Sequence, residues 1–143
     1  MIRIFIDTNI LIDFLADRKP FSWDAAKLFN FSLKGKVKIY ISAVSFNNIY
    51  YILKQSSSHI ETIKLLAELS DLTEIVDVSE EIIKKSIKSG FKDFEDAIQY
   101  NCALSVPKVE FIVTRDTKDF KTSTLPILTP KEAVSLLENT KKT

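Results

Sequence analysis

The apolar run Ile2-Arg3-Ile4-Phe5-Ile6 stops at Asp7-Thr8-Asn9, and helical periodicity begins directly behind it. A run rich in β-branched residues, closed by a polar cluster and followed by a helix pattern, reads as a buried strand feeding a helix. Strands and helices then alternate along the chain, the pattern of a parallel α/β sheet. Ligands of such sheets bind beyond the C-terminal ends of the strands. Asp7 occupies that position, where an acid serves either as a hard oxygen ligand for Mg²⁺ or Mn²⁺ or as the cap of the next helix.

The remaining elements follow from periodicity and punctuation. A largely apolar helix is expected from Asn9 to about Ala16, broken at Arg18-Lys19-Pro20. Ser22 is read as the cap of a second helix to about Leu33, ended by Lys34-Gly35-Lys36. A strand from Lys38 to Ser42 leads into a helix from Ala43 to Lys54, and Ser56-Ser57-Ser58 turns the chain into a helix from Ile60 to Leu69. A third strand spans Glu74 to Val78, followed by a helix that starts at Ser79 and ends before Gly90. A helix from Asp93 to Ser105, with Phe94, Ile98, Cys102 and Ser105 along its apolar side, precedes a strand from Glu110 to Thr114. Ile127-Leu128 forms a short last strand, and Pro130 opens a closing helix to about Glu138. One domain is expected over residues 1–138, with the polar tail 139–143 frayed.

Composition closes several routes. The net charge is +1, so nucleic-acid binding would depend on a local patch rather than a global field. Cys102 is the only cysteine and His59 the only histidine, which excludes a disulfide or a Cys/His zinc site within one chain. With only Gly35 and Gly90, neither the dinucleotide fingerprint nor a P-loop can be built. No stretch reaches the roughly 18 apolar residues of a membrane span, and the N-terminus lacks the features of a signal peptide. A reduced, cytoplasmic setting is the expectation. No serine stands in a nucleophile-elbow context, which sets aside serine catalysis through His59.

The acids are distributed unevenly. Asp7 follows the first strand, Asp93-Phe94-Glu95-Asp96 opens a helix, and Asp116 and Asp119 follow Phe111-Ile112-Val113 in Thr114-Arg115-Asp116-Thr117-Lys118-Asp119-Phe120. For Asp93 and Glu95, complementing the helix dipole is explanation enough. If the first and fourth strands are neighbours, however, Asp7 and Asp116 emerge side by side. Carboxylates about 4 Å apart repel by several kcal/mol at an effective dielectric of about 20, and a divalent cation relieves that repulsion.

In this order and spacing the motifs resemble PIN-domain ribonucleases, most closely the bacterial group that includes VapC-like toxins. The likeness rests on Asp7-Thr8-Asn9, Asp96, Thr114-Arg115-Asp116 and Asp119-Phe120, with Ser42, Tyr50-Tyr51-Ile52-Leu53 and Leu128-Thr129-Pro130 extending it over essentially the whole chain. It implies a three-layer α/β/α sandwich around a central parallel sheet of about five strands. It also implies that Asp7, Asp96 and an acid among Asp116 and Asp119 bind Mg²⁺ or Mn²⁺ to hydrolyse an RNA phosphodiester. Thr8 and Asn9 would orient Asp7 or contact phosphate. The family's glutamate falls on Asn48, an amide that can offer an oxygen but no charge and cannot take a proton from water. Either Asp93 or the second acid of the 116–119 pair compensates, or activity is weak, or it is absent.

Arg115 is a candidate RNA-phosphate contact, with a local ion pair as the alternative. Arg18, Lys19, Lys54, Lys118 and Lys121 could contribute one or two further backbone contacts, and Phe46, Tyr50 and Tyr51 either stack bases or pack in a core or dimer. The leading expectation is a metal-dependent ribonuclease, the toxin of a toxin–antitoxin pair with an antitoxin protein as partner, and a homodimer. The competing one is a catalytically weakened module that binds RNA or a protein. A haloacid-dehalogenase-like phosphatase would need a second Asp where Asn9 stands. A receiver domain would need paired acids near Asp7 and a lysine after the last strand, where Thr129-Pro130 follows.

Overall fold

The computed structural model describes residues 1–140. Five parallel strands, β1 (Ile2–Ile6), β2 (Val37–Ser42), β3 (Glu74–Val76), β4 (Val109–Val113) and β5 (Ile127–Leu128), lie in the order β3-β2-β1-β4-β5. Seven helices join or follow them among the described residues: α1 (Thr8–Leu15), α2 (Phe21–Leu33), α3 (Ala43–Lys54), α4 (His59–Leu72), α5 (Glu80–Ile87), α6 (Phe94–Ser105) and α7 (Pro130–Thr140).

Side-chain alternation along the strands sends residues to two cores, one on each sheet face. Ile4 and Ile6 of β1 and Ile39 and Ile41 of β2 face α1, α2, α3, α4 and α7, while Phe5 and Ile112 face α5 and α6. This is the expected α/β/α sandwich. In β4 the pairing with β1 slips between Arg3 and Ile4, so that Arg3 meets Val109 and Ile4 meets Phe111. Glu110 is thereby left over and exposed, and Val109 turns to the same core as Ile112.

Several boundaries differ from expectation for local reasons. Ser22 does not cap α2. Its amide already donates to the Arg18 carbonyl at 2.7 Å, the helix begins at Phe21, and the Ser22 side chain is buried. β3 stops at Val76 because its partner β2 ends at Ser42, opposite that residue, and leaves nothing for Asp77 and Val78 to pair with. Asn139 and Thr140 continue α7 rather than fray, and residues 141–143 of the expected tail lie outside the described residues. On α6, Phe94 and Ser105 are exposed, and the buried side is Ala97, Ile98, Gln99, Cys102 and Ala103. No described helix is long and apolar enough to cross a membrane.

The strand order sets where a ligand can sit. From β1 the chain moves outward through β2 and β3 on one side, then crosses to β4 and β5 on the other. The crevice beyond the C-terminal ends of β1 and β4 is therefore the topological switch point of the sheet.

Candidate metal centre

Asp7 and the segment after β4 meet at that switch point. Ile6 is in register with Val113, and the Asp7 amide donates to the Val113 carbonyl at 3.0 Å. Asp7 is 3 % exposed, and although it occupies the cap position of α1 its carboxylate makes no cap hydrogen bond. Instead Asp7 Oδ2 accepts from Thr114 Oγ1 at 2.7 Å, and that hydroxyl in turn accepts from the Asp116 amide at 3.0 Å. The Gln99 side chain also donates to the Asp7 carboxylate. Helix capping therefore does not explain Asp7.

A cleft of about 660 Å³ opens above these residues and is lined by Asp7, Thr8, Asn9, Asn48, Asp93, Glu95, Asp96, Asp116 and Asp119, with Lys92, Lys118 and Lys121 among the basic residues. Asn9 reaches Asp116 Oδ2 at 3.3 Å. Asp93 caps α6, its Oδ1 accepting from the Asp96 amide at 2.9 Å. Asp119 sits in a 3₁₀ turn, Thr117–Phe120, whose Phe120 is buried and anchors it.

Electrostatics in the cleft are frustrated. Burial pushes the Asp96 carboxyl up to about 7, with Asp7, Asp93, Asp119 and Glu95 adding like-charge repulsion. Burial also raises Asp7, against the opposing hydrogen bonds from Thr114, Gln99 and the Thr8 backbone, and Glu95 raises it further. Among the described residues no three acidic, His or Cys side chains are arranged to close on one ion. The donor set is nonetheless one of hard oxygens, the ligands that Mg²⁺ and Mn²⁺ take. Glu95 Oε2 is moreover buried without a hydrogen-bond partner. Chemically the residues fit a divalent cation, which would relieve the repulsion among the carboxylates.

Arg115 lies outside the cleft lining. Its Nε and Nη2 donate to the two oxygens of Asp13 at 2.7 and 3.2 Å, and its guanidinium stacks 4.1 Å from the Phe21 ring. Arg18 also approaches Asp13, at 3.8 Å. The local ion pair is thus the arrangement present, and it ties the segment carrying Asp116 to α1. Of the suggested rim residues Lys118 and Lys121 line the cleft, joined by Lys92, which sequence reasoning missed. Tyr50 bonds His59 through its hydroxyl at 2.8 Å, Phe46 packs on the core, and Tyr51 is 64 % exposed.

Sequence reasoning also missed Gln99. It is 1 % exposed, and its Oε1 accepts from the Thr8 amide at 2.9 Å and lies 3.2 Å from Thr8 Oγ1, which shares a 2.7 Å hydrogen bond with Ser45 Oγ. One amide thus fixes Asp7 and the start of α1 against α6 and α3. The available signal was its position, three residues after Asp96 and one turn further along α6.

A family model described as PIN domain matches residues 3–118, and the chain belongs to that family. Solved structures of the same fold include a toxin–antitoxin complex from Klebsiella pneumoniae, at 25% identity over 89% of this chain and 97% of that one, TM-score 0.62. VapBC-1 from nontypeable Haemophilus influenzae matches at 17% identity over 92% and 99%, TM-score 0.65. VapC20 from Mycobacterium tuberculosis, a sarcin–ricin loop cleaving toxin, matches at 13% identity over 76% and 86%, TM-score 0.60. None of the curated proteins matches the chain.

Proposed function

We propose that this protein is a Mg²⁺- or Mn²⁺-dependent endoribonuclease, the toxin of a toxin–antitoxin pair acting in the cytoplasm. The observation that carries the reading is the gathering of Asp7, Asp96, Asp116 and Asp119 along one cleft at the β1/β4 switch point, where Asp7, Asp93, Glu95 and Asp119 repel Asp96. A divalent ion held by these acids would neutralise charge at the scissile phosphate and lower the pKa of water enough to make hydroxide available near neutrality. The chain's own residues do the rest. Thr114 and Gln99 hold the Asp7 carboxylate in one orientation, and Asn9 steadies Asp116. Burial and the neighbouring acids push the Asp96 carboxyl up to about 7, so below neutrality it keeps its proton and the cleft carries less negative charge. Lys92, Lys118 and Lys121 offer the phosphate backbone a basic rim around an acidic floor.

Cleavage of single-stranded and structured RNA in Mn²⁺ or Mg²⁺, abolished by EDTA, tests the proposal. Asp7→Asn should lower the rate by at least about a hundredfold, since a lost ligand costs no less than a lost outer partner of one. Cleavage that persists in EDTA or in Asp7→Asn would sink it.

A binding module with an idle site is the second reading, favoured by the uncharged Asn48 in the cleft wall. On either reading the exposed side chains of Tyr51, Ile60 (80 %) and Ile63 (45 %) on α3 and α4 suit a protein partner, a second copy of the chain or an antitoxin. Sedimentation at high micromolar concentration should give a dimer, and a monomer there would refute self-association.

A further inference from the structure

The charge missing at position 48 has a counterpart in the lining of the same cleft. Glu95, in the first turn of α6, buries its Oε2, and that oxygen has no hydrogen-bond donor among the described residues. The other cleft carboxylates with bonds are answered by neutral groups, Asp7 by Thr114, Asp93 by the Asp96 amide and Asp116 by Asn9. Away from the cleft, the buried Asp13 is answered by Arg115. A buried carboxylate oxygen with no donor is costly, far more so than the similarly unpartnered Ser22 hydroxyl away from the cleft, and a water or an ion is what completes such a group. Helix-dipole complementation accounts for an acid in the first turn, yet it needs no buried oxygen. Glu95 stands close enough to Asp7 and Asp96 to repel both, so its charge acts where theirs does. Asn48 lines the same cleft and brings no charge.

We propose that Glu95 is a carboxylate ligand of the divalent cation in this cleft and supplies the negative charge that Asn48 does not. The assignment rests on the metal-dependent reading above and adds a residue to it. It makes a two-sided demand. Without metal, Glu95 leaves one buried oxygen unanswered beside Asp7 and Asp96, so Glu95→Gln raises the melting temperature in EDTA. With metal, Glu95 is a ligand, so the same substitution weakens Mn²⁺ binding.

Mn²⁺ titrations followed by the electron-paramagnetic-resonance signal of free Mn²⁺ read this without any RNA. Glu95→Gln is expected to lose at least about tenfold in affinity, as ligand-shell changes do. Adding Asn48→Glu to Glu95→Gln should recover most of the loss, because one carboxylate takes over from the other across the cleft. Wild-type affinity in Glu95→Gln, or a double variant no tighter than the single one, overturns the proposal while the nuclease reading stands. Should wild-type protein itself bind no Mn²⁺, both fall together. If Glu95→Gln does not fold, Glu95→Asp serves: a ligand role makes the carboxylate's reach matter, so weaker Mn²⁺ binding supports the assignment and unchanged binding overturns it.

Discussion

Asp7 and Asp13 are buried aspartates on the same short stretch of chain, 3 % and 1 % exposed, and their surroundings are opposites. Asp13 receives two hydrogen bonds from the Arg115 guanidinium and has Arg18 nearby. Asp7 receives only neutral donors, from Thr114 and Gln99, and faces the like charges of Glu95 and Asp96. The protein can bury an aspartate with full compensation, and does so one and a half turns away. Leaving Asp7 uncompensated is therefore a property of the cleft and not of the fold around it. Strained electrostatics of this kind concentrate at functional sites, where stability is given up for binding.

That contrast predicts opposite signs for one kind of substitution. Asp13→Asn should cost about 2–3 kcal/mol in urea denaturation, because it strands the Arg115 charge; the figure is below that of a fully buried pair because Arg115 is partly exposed. Asp7→Asn, measured in EDTA, should leave stability unchanged or raise it. Equal losses in the two variants would erase the distinction between a structural and a functional acid.

A smaller effect is expected from Asn48→Glu, which adds a carboxylate to a cleft already served by its other acids. Mn²⁺ affinity and RNA cleavage should rise by up to about tenfold, equivalent to roughly 1.4 kcal/mol, and the apo-protein should melt lower. Reduced cleavage with unchanged affinity would favour the binding-module reading. The mildest test is pH. Native Asp96 keeps its proton up to about 7, whereas an unfolded chain releases it near the ordinary value of 3.8. The native state thus holds more protons between these values, and the contribution of Asp96 to apo-protein stability is fully present below that window and is lost as pH rises through it. Mn²⁺ binding, which needs the ionised form, should strengthen over the same range. A flat melting temperature from pH 4 to 8 in EDTA would mean that Asp96 is not held in its protonated form.

The sheet was legible because each strand is a short β-branched run with a polar stop, and the acids behind β1 and β4 were conspicuous for the same reason. Less could be read where tertiary partners decide. Nothing local to Asp77 says that β3 must stop once β2 has turned into α3. Asp13 sits in an apolar helix and its partner lies 102 positions away, so the pair is invisible until the loop after β4 folds back. Gln99 resembles any polar helix residue until α6 is laid against the start of α1, 91 positions upstream. Glu95 fits a dipole role by position alone, and only the burial of its Oε2 distinguishes it.

The strand order has a consequence for the life of the polypeptide before it is finished. The hydrogen bond between Thr114 and Asp7 closes a span of 107 residues. Asp7 is made 107 positions before Thr114, which lies in the segment that completes the cleft. Domains emerge at about 5–20 residues per second, so for several seconds each nascent molecule carries its first acid with no opposite wall. A prematurely terminated product that ends before Val109 lacks the same wall for good. The acidic cleft therefore cannot close during synthesis until the segment after β4 has been made.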